Sequence, residues 1–326
     1  MTGGVASGSA SAPAVPSSAD APASGPPHAP LSRGLATAAV LAAAAGFSSI
    51  SIATVIGTRE GTTLTSLVMG RFLLAGLLIV ATSGWQGVRL PPPHAWRLAV
   101  LGGAGQVLIN LLNLSALDYI PAATTVFLFY TFPAWVAIVA AVRGTERIGP
   151  RRALALLCSL GGILVIVGAP GSGDIAPVGA ALSLSAAFLY ALYIPLLRQL
   201  QHGTTPTTTV FWIGVGTCAI LLAYGALRHD LVLAVTARSL GAIAWLAVVP
   251  TLIAFRLFLR GLEALGPVRT AIVSTAEPFC AAILAALVLG QRLTPSTMTG
   301  GVLIAAAVLL LQRPERGGTA PTTEVA

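Results

Sequence analysis

The chain has 326 residues, of which 56% are hydrophobic and only 9% charged, with a net charge of +8 and a mean hydropathy of +0.88. A soluble domain normally carries about 25% charged residues to cover its water-facing surface, so the outside of this protein must face lipid. All 18 basic residues are Arg, scattered singly or in small groups; a nucleic-acid face would cluster them with aromatics on one element, and nucleic acid is excluded as a partner.

Residues 1–32 are almost entirely Ala, Ser, Gly and Pro, too poor in apolar bulk to bury a core, and are expected to be a disordered tail. They lack the basic segment followed directly by an apolar run that marks a signal peptide. Apolar stretches near 35–56, 63–83, 98–117, 121–142 and 153–170 form a first set, within a repeat spanning 33–170. A second set lies near 176–197, 206–227, 240–260, 267–289 and 296–312, within a repeat spanning 176–312, and 313–326 closes the chain as a cytoplasmic tail. Each stretch is close to the roughly 20 residues a helix needs to cross a hydrocarbon core of about 30 Å. Strands are excluded because an open sheet edge would leave backbone groups unpaired in lipid. The expected fold is an all-α integral membrane protein, with ten transmembrane helices as two inverted five-helix repeats.

A shift of 145 residues relates the two sets. It carries Pro133 onto Pro278, Ile138 onto Ile283, Arg147 onto Arg292, Pro150 onto Pro295, and Thr62-Thr63 onto Thr207-Thr208. An odd number of helices per repeat turns the second copy upside down. The arginines agree: with a cytoplasmic N-terminus, twelve fall in inside loops and four (Arg59, Arg228, Arg238 and Arg292) outside, as the positive-inside rule requires. Both termini are then cytoplasmic, in a multi-pass protein of the cytoplasmic (inner) membrane. Inverted repeats are a recurrent transporter device, with a binding site near the midplane between the halves.

Several local patterns add a resemblance. They are Met69-Gly70-Arg71-Phe72, the run Ala116-Leu117-Asp118-Tyr119 leading through Ala122-Ala123 to Tyr130-Thr131-Phe132-Pro133, then Ala276-Glu277-Pro278-Phe279 and Gly290-Gln291-Arg292-Leu293-Thr294-Pro295. In this order the chain resembles the EamA type of the drug/metabolite transporter superfamily from Arg33 to about Arg313. The resemblance implies export or exchange of small metabolites or drugs. Two positions depart from the family's habit. Ala45 precedes the Gly of helix 1 where Trp is frequent, and Gln291 stands where Glu is frequent, which removes one acidic group from ion coupling.

Glu277 is the only acidic residue well inside an apolar span, where a charge costs about 2.5–3.5 kcal/mol on insertion scales. It is expected to bind a substrate amine, to carry a coupling proton, or to hydrogen-bond within the bundle. Asn110 and Asn113, three apart and so on one helix face, form with Gln106 a polar stripe that either lines a cavity or joins helices. Tyr130 and Tyr190 are candidate cavity walls, as are Trp135, Tyr193 and Trp212. Pro133, Pro195, Pro250 and Pro278 each free the carbonyl four residues back, at Phe129, Ala191, Leu246 and Ser274, so Ser274 joins the binding or coupling candidates. Arg71, Pro133 and Pro278 are expected to be structural, Arg71 by snorkelling or by anchoring to carbonyls, with contact to a substrate carboxylate as its alternative. Arg256, one turn before Arg260, is expected to snorkel.

No metal-ligand spacing is present. Cys158, Cys218 and Cys280 stand singly in apolar runs, and the phosphate loop's Lys is lacking, so no metal, cofactor or built-in ATPase is expected. The expected function is therefore secondary transport, with a small-molecule substrate and the lipid bilayer as partners and room for a homodimer. The alternatives are a lipid flippase of the same fold or, further off, a membrane-embedded enzyme, which would normally want paired carboxylates or a metal. No enzyme activity is expected.

Overall fold

The computed structural model describes residues 31–120, 122–145, 148–167, 176–232, 234, 236–289 and 295–312. The sequence expectations for most of the two tails, and for Arg147 and the 290–294 segment, concern residues outside these. Among the described residues every regular element is helical, the solution that satisfies backbone groups in lipid.

Ten segments follow one another. α1 is Arg33–Arg59 and α2 is Leu64–Ser83. α3 joins Pro92–Arg97, a π-helical turn at Leu98–Gly102, and Gly103–Ser115. α4 comes in two pieces, α4a (Ala122–Phe129) and α4b (Phe132–Val142). α5 is Pro150–Val167, α6 is Pro177–Leu200 and α7 is Pro206–Arg228. α8 joins Ala237–Leu246, a π-helical stretch at Ala247–Ala254, and Phe255–Leu265. α9 is again broken, into α9a (Pro267–Ser274) and α9b (Glu277–Leu289), and α10 is Pro295–Gln312. By length and composition α1, α2, α3, α6, α7 and α8 can each cross a membrane alone.

The starts carry local signals. The side chains of Ser32, Thr63, Thr205 and Thr236 accept from the amides of Leu35, Ser66, Thr208 and Ser239, filling N–H groups that a helix start leaves open. Proline opens α6, α7 and α9a, where its missing N–H costs nothing and its fixed φ suits the first turn.

The halves are matched in register. Starts at Pro92 and Ala237 and at Phe132 and Glu277 are each 145 apart. One expected match differs. α7 begins at Pro206, 142 residues after Leu64, and the capping threonines are Thr63 and Thr205, so Thr207-Thr208 keep the 145-residue register of Thr62-Thr63 but lie inside the helix instead of at its cap. The extra residues lengthen α7 at its start only, because Ser83 and Arg228 end the two helices 145 apart.

Packing repeats under the same exchange. α1 lies on α8 as α6 lies on α3, α4b on α6 as α9b on α1, while α2 packs on α7 and α5 on α10. α2 and α7 run antiparallel: Thr65 meets Gly225, the Met69 carbonyl accepts from Cys218, and Phe72 meets Gly214. Equivalent helices pointing in opposite directions make the second half an inverted copy. Close approach holds the halves together at glycines. A Cβ on Gly216 would run into the Ala99 carbonyl, and one on Gly103 would come within 2.7 Å of the Gly216 backbone. Small residues that let backbones meet are the usual adhesive of helices in lipid. The best-shielded element is α9a, buried from Pro267 to Ser274. Arg269, assigned from sequence to an inside loop, lies within it and is only 8% exposed.

Candidate functional site

The site grows from the two broken helices. α4 is interrupted at Tyr130-Thr131 and α9 at Thr275-Ala276, again 145 residues apart. Pro133 and Pro278 are each the second residue of the following piece. Proline has no N–H and crowds the carbonyl four residues back, so the helix stops before it instead of bending around it. The expected kinks are complete breaks. A threonine hydroxyl adds to the turn at each break: Thr131 Oγ1 donates to the Leu128 carbonyl at 2.7 Å and Thr275 Oγ1 to the Ile272 carbonyl at 2.6 Å, carbonyls that also accept from the Thr131 and Thr275 amides. At Pro250 the backbone widens into the π-helical stretch, and Thr251 Oγ1 donates to the Leu246 carbonyl at 2.7 Å. The carbonyl expected to be free is thus paired. Pro195 leaves α6 continuous.

The breaks face a cavity of about 190 Å³ between the halves. The first half contributes Phe47 and Ile50 of α1, Arg71 and Phe72 of α2, Gln106, Ile109 and Asn110 of α3, and Phe129, Tyr130 and Phe132 around the α4 break. The second half contributes Tyr190, Tyr193 and Leu197 of α6, Pro250, Thr251, Phe255 and Phe258 of α8, and Glu277 at the α9 break. Half of these residues are aromatic. Tyr190 stacks on Phe129 at 5.6 Å between ring centroids and meets Phe132 edge-on at 4.8 Å, in the offset and T-shaped arrangements that ring quadrupoles favour. The Tyr193 hydroxyl donates to the Gly102 carbonyl at 2.9 Å, so that ring presents its face to the cavity.

Two ionisable groups stand on this wall. Glu277 is the first residue of α9b, where the unpaired N–H groups of a helix start favour a carboxylate, and the Tyr130 hydroxyl reaches it with a hydrogen bond. Arg71 is 6% exposed, with its guanidinium carbon 4.8 Å from the Phe72 ring centroid, and its Nε has no hydrogen-bond partner. The snorkelling expected of Arg71 is therefore not what the structure has. α2 packs here against α7 through Phe72 and against α8 through Gly70, which turns Arg71 inward. No salt bridge joins Arg71 to Glu277.

Of the six binding or coupling candidates, Glu277, Asn110, Tyr130 and Tyr190 line the cavity. Asn113 does not: its side-chain oxygen accepts from Ser183 of α6 at 3.5 Å, because three residues along a helix still rotate a side chain by about 60°. Ser274 does not line it either, its hydroxyl donating back to the Thr270 carbonyl at 2.9 Å. Trp135 packs edge-on with Phe188, and Trp212 Nε1 donates to the Val88 carbonyl at 2.8 Å, both away from the cavity. Gln106, expected in the polar stripe, lines the cavity, whereas Phe129, Phe132, Thr251, Phe255 and Phe258 were not among the candidates. A usable signal existed for four of these five, since Phe132 is the repeat mate of Glu277, Phe255 that of Asn110, Phe258 that of Asn113, and Thr251 that of Gln106.

Comparison with known proteins bears on this architecture. The model of the EamA-like transporter family matches residues 34–168 and again residues 177–313. The chain is 29% identical over 259 residues to the uncharacterized inner membrane transporter YicL of Salmonella typhimurium, covering 77% of this chain and 85% of the relative. It is 25% identical to the protein PecM of Dickeya dadantii, over 74% of this chain and 80% of that one. An uncharacterized transporter of Archaeoglobus fulgidus is 27% identical, over 75% and 86%. One solved crystal structure superposes with a TM-score of 0.72 at 22% identity, covering 86% of this chain and 97% of its own. At that identity the likeness shows the fold alone.

Proposed function

The chain belongs to the EamA-like transporter family, and from that premise we propose that it is a secondary transporter that exports or exchanges a small polar organic molecule by alternating access. The observation that carries this reading is the central cavity, where Arg71 of one half and Glu277 of the other face the same space without pairing. A buried charge without a partner costs several kcal/mol, and a cargo bringing an anionic group to Arg71 removes that cost. A hydrogen-bond donor or amine on the same cargo meets Glu277 and Tyr130. The aromatic wall supplies apolar contact between the two ends. Glu277 is also the one cavity group whose charge a proton can cancel, which gives cargo movement a route to coupling.

Size favours a compact cargo. Pockets for drug-sized ligands run to roughly 300–1,000 Å³, and this cavity is about 190 Å³. That supports a metabolite over a bulky drug, and over the two acyl chains a flippase would have to pass. The inverted halves supply the alternation: two copies of one five-helix unit can exchange conformations, closing one side as the other opens. The Arg asymmetry supports the cytoplasmic membrane with both termini inside.

Metabolite profiling of cells lacking and overproducing the protein tests the reading. A small polar compound should accumulate inside the first and outside the second, and purified protein in liposomes should exchange that compound across the membrane. Unchanged profiles together with inert liposomes would contradict it.

A further inference from the structure

A second pocket, of about 410 Å³, lies where α2 ends, α7 begins and α8 approaches its own end. Ser83 and Gly87 form its floor, Thr205 and Thr207 the start of α7, and Arg256 and Arg260 one side. Ile253 and Leu257 of α8 complete it. These four α8 residues share one helix face, while Thr251, Phe255 and Phe258 on another face line the central cavity. α8 is thus the wall between two separate spaces.

The chemistry of this second space is anionic recognition. Arg256 is half-buried and Arg260 exposed. Among the described residues no carboxylate pairs with either. Arg256 does not simply snorkel, as expected from sequence. Its Nε donates to the Leu252 carbonyl, and its NH1 donates to Thr207 Oγ1 at 3.3 Å. These bonds fix the guanidinium across the first turn of the 23-residue α7, whose start carries partial positive charge. Two guanidinium groups, a helix start and threonine hydroxyls around one unneutralised space are what a phosphate needs. Ile253 is 49% exposed and gives the basic end an apolar flank. Basic pockets between transmembrane helices take lipid head groups in this way.

We infer that the α2–α7–α8 end pocket binds a phosphate-bearing anion, either the head group of an anionic phospholipid or a free phosphate compound. Occupancy would tie Arg256 and Arg260 to the start of α7, and so brace α8 against it beside the cavity. This inference does not depend on what the cavity transports.

Native mass spectrometry of the full-length protein in detergent tests it, with phosphatidylglycerol, phosphatidylcholine and inorganic phosphate as probes. The wild type should hold one phosphatidylglycerol saturably and prefer it to phosphatidylcholine. R256Q/R260Q should bind it about 30-fold more weakly, the loss expected for two arginines at a membrane surface. R228Q, which removes an arginine at the opposite end of α7, should bind as the wild type does. If inorganic phosphate binds or displaces the lipid with the same dependence on both arginines, the site serves free phosphate compounds. If R256Q/R260Q cannot be purified folded, R256K/R260K should keep most of the binding and T207A should weaken it. Wild-type protein without saturable binding of either probe, or binding that R228Q lowers as much as R256Q/R260Q does, would overturn the inference.

Discussion

The breaks in α4 and α9 are the same backbone event with different chemistry. Both helices stop 145 residues apart, both restart at the first residue of a Phe-Pro or Glu-Pro pair, and both place a threonine hydroxyl on the carbonyl three residues back. The restarted piece begins with Phe132 in one half and Glu277 in the other. Backbone geometry is shared by the two halves, whereas the residues that face the cavity differ; under the proposed function, alternation needs two equivalent halves and a cargo is not symmetric. The scaffold and the site therefore answer to different constraints, and substitutions should separate them.

The largest effect is expected on the scaffold side. Gly216→Leu forces a side chain into the α3 backbone at Ala99; overpacking of that kind costs about 3 kcal/mol or more, and little folded protein should remain by detergent-solubilised size-exclusion profile. Arg71→Gln tests the site side. Abundance should hold, while apparent affinity for a cargo with an anionic group falls by about 30-fold or more, the loss that follows removal of a buried charged partner. An Arg71 that merely anchored α2 would show the reverse, with lower abundance and unchanged affinity in the surviving protein. Thr251→Val removes the buried side-chain hydrogen bond to the Leu246 carbonyl, which keeps its π-helical backbone donor. A loss of about 1 kcal/mol should appear as a lowered melting temperature. The smallest effect belongs to Ser49→Ala, which removes an acceptor from Trp245 Nε1 at 2.9 Å between α1 and α8. Interhelical hydrogen bonds in membranes average about 0.6 kcal/mol, so its melting temperature should barely move.

Much of the scaffold could be read from residue order alone, because lipid reduces the choice to helices of one length and the repeat fixes their pairing. Pro133 and Pro278 announced the two interruptions, although a missing N–H does not say whether a helix bends or stops. The site was legible where depth alone marks a residue: Glu277 stands out in any apolar span. Rotation was not legible. Whether Arg71 turns inward, or Asn113 turns towards α6, depends on how each helix is rolled by its neighbours, and that is settled by contacts such as Phe72 on Gly214. Neither the phenylalanines of the wall nor the α8 arginines could be placed without those contacts, since apolar and aromatic residues on an Ala- and Leu-rich helix look alike on every face.

The asymmetry at the breaks is tested most directly by transport through Glu277→Gln in liposomes, measured across pH with the cargo that profiling identifies. The substitution keeps the size of the side chain and its bond to Tyr130 but removes the group that can gain and lose a proton. Transport should fall sharply or lose its pH dependence while membrane abundance stays near that of the wild type. Normal transport by Glu277→Gln at every pH would mean that the carboxyl only helps the bundle pack, and would contradict its role in carrying or coupling cargo.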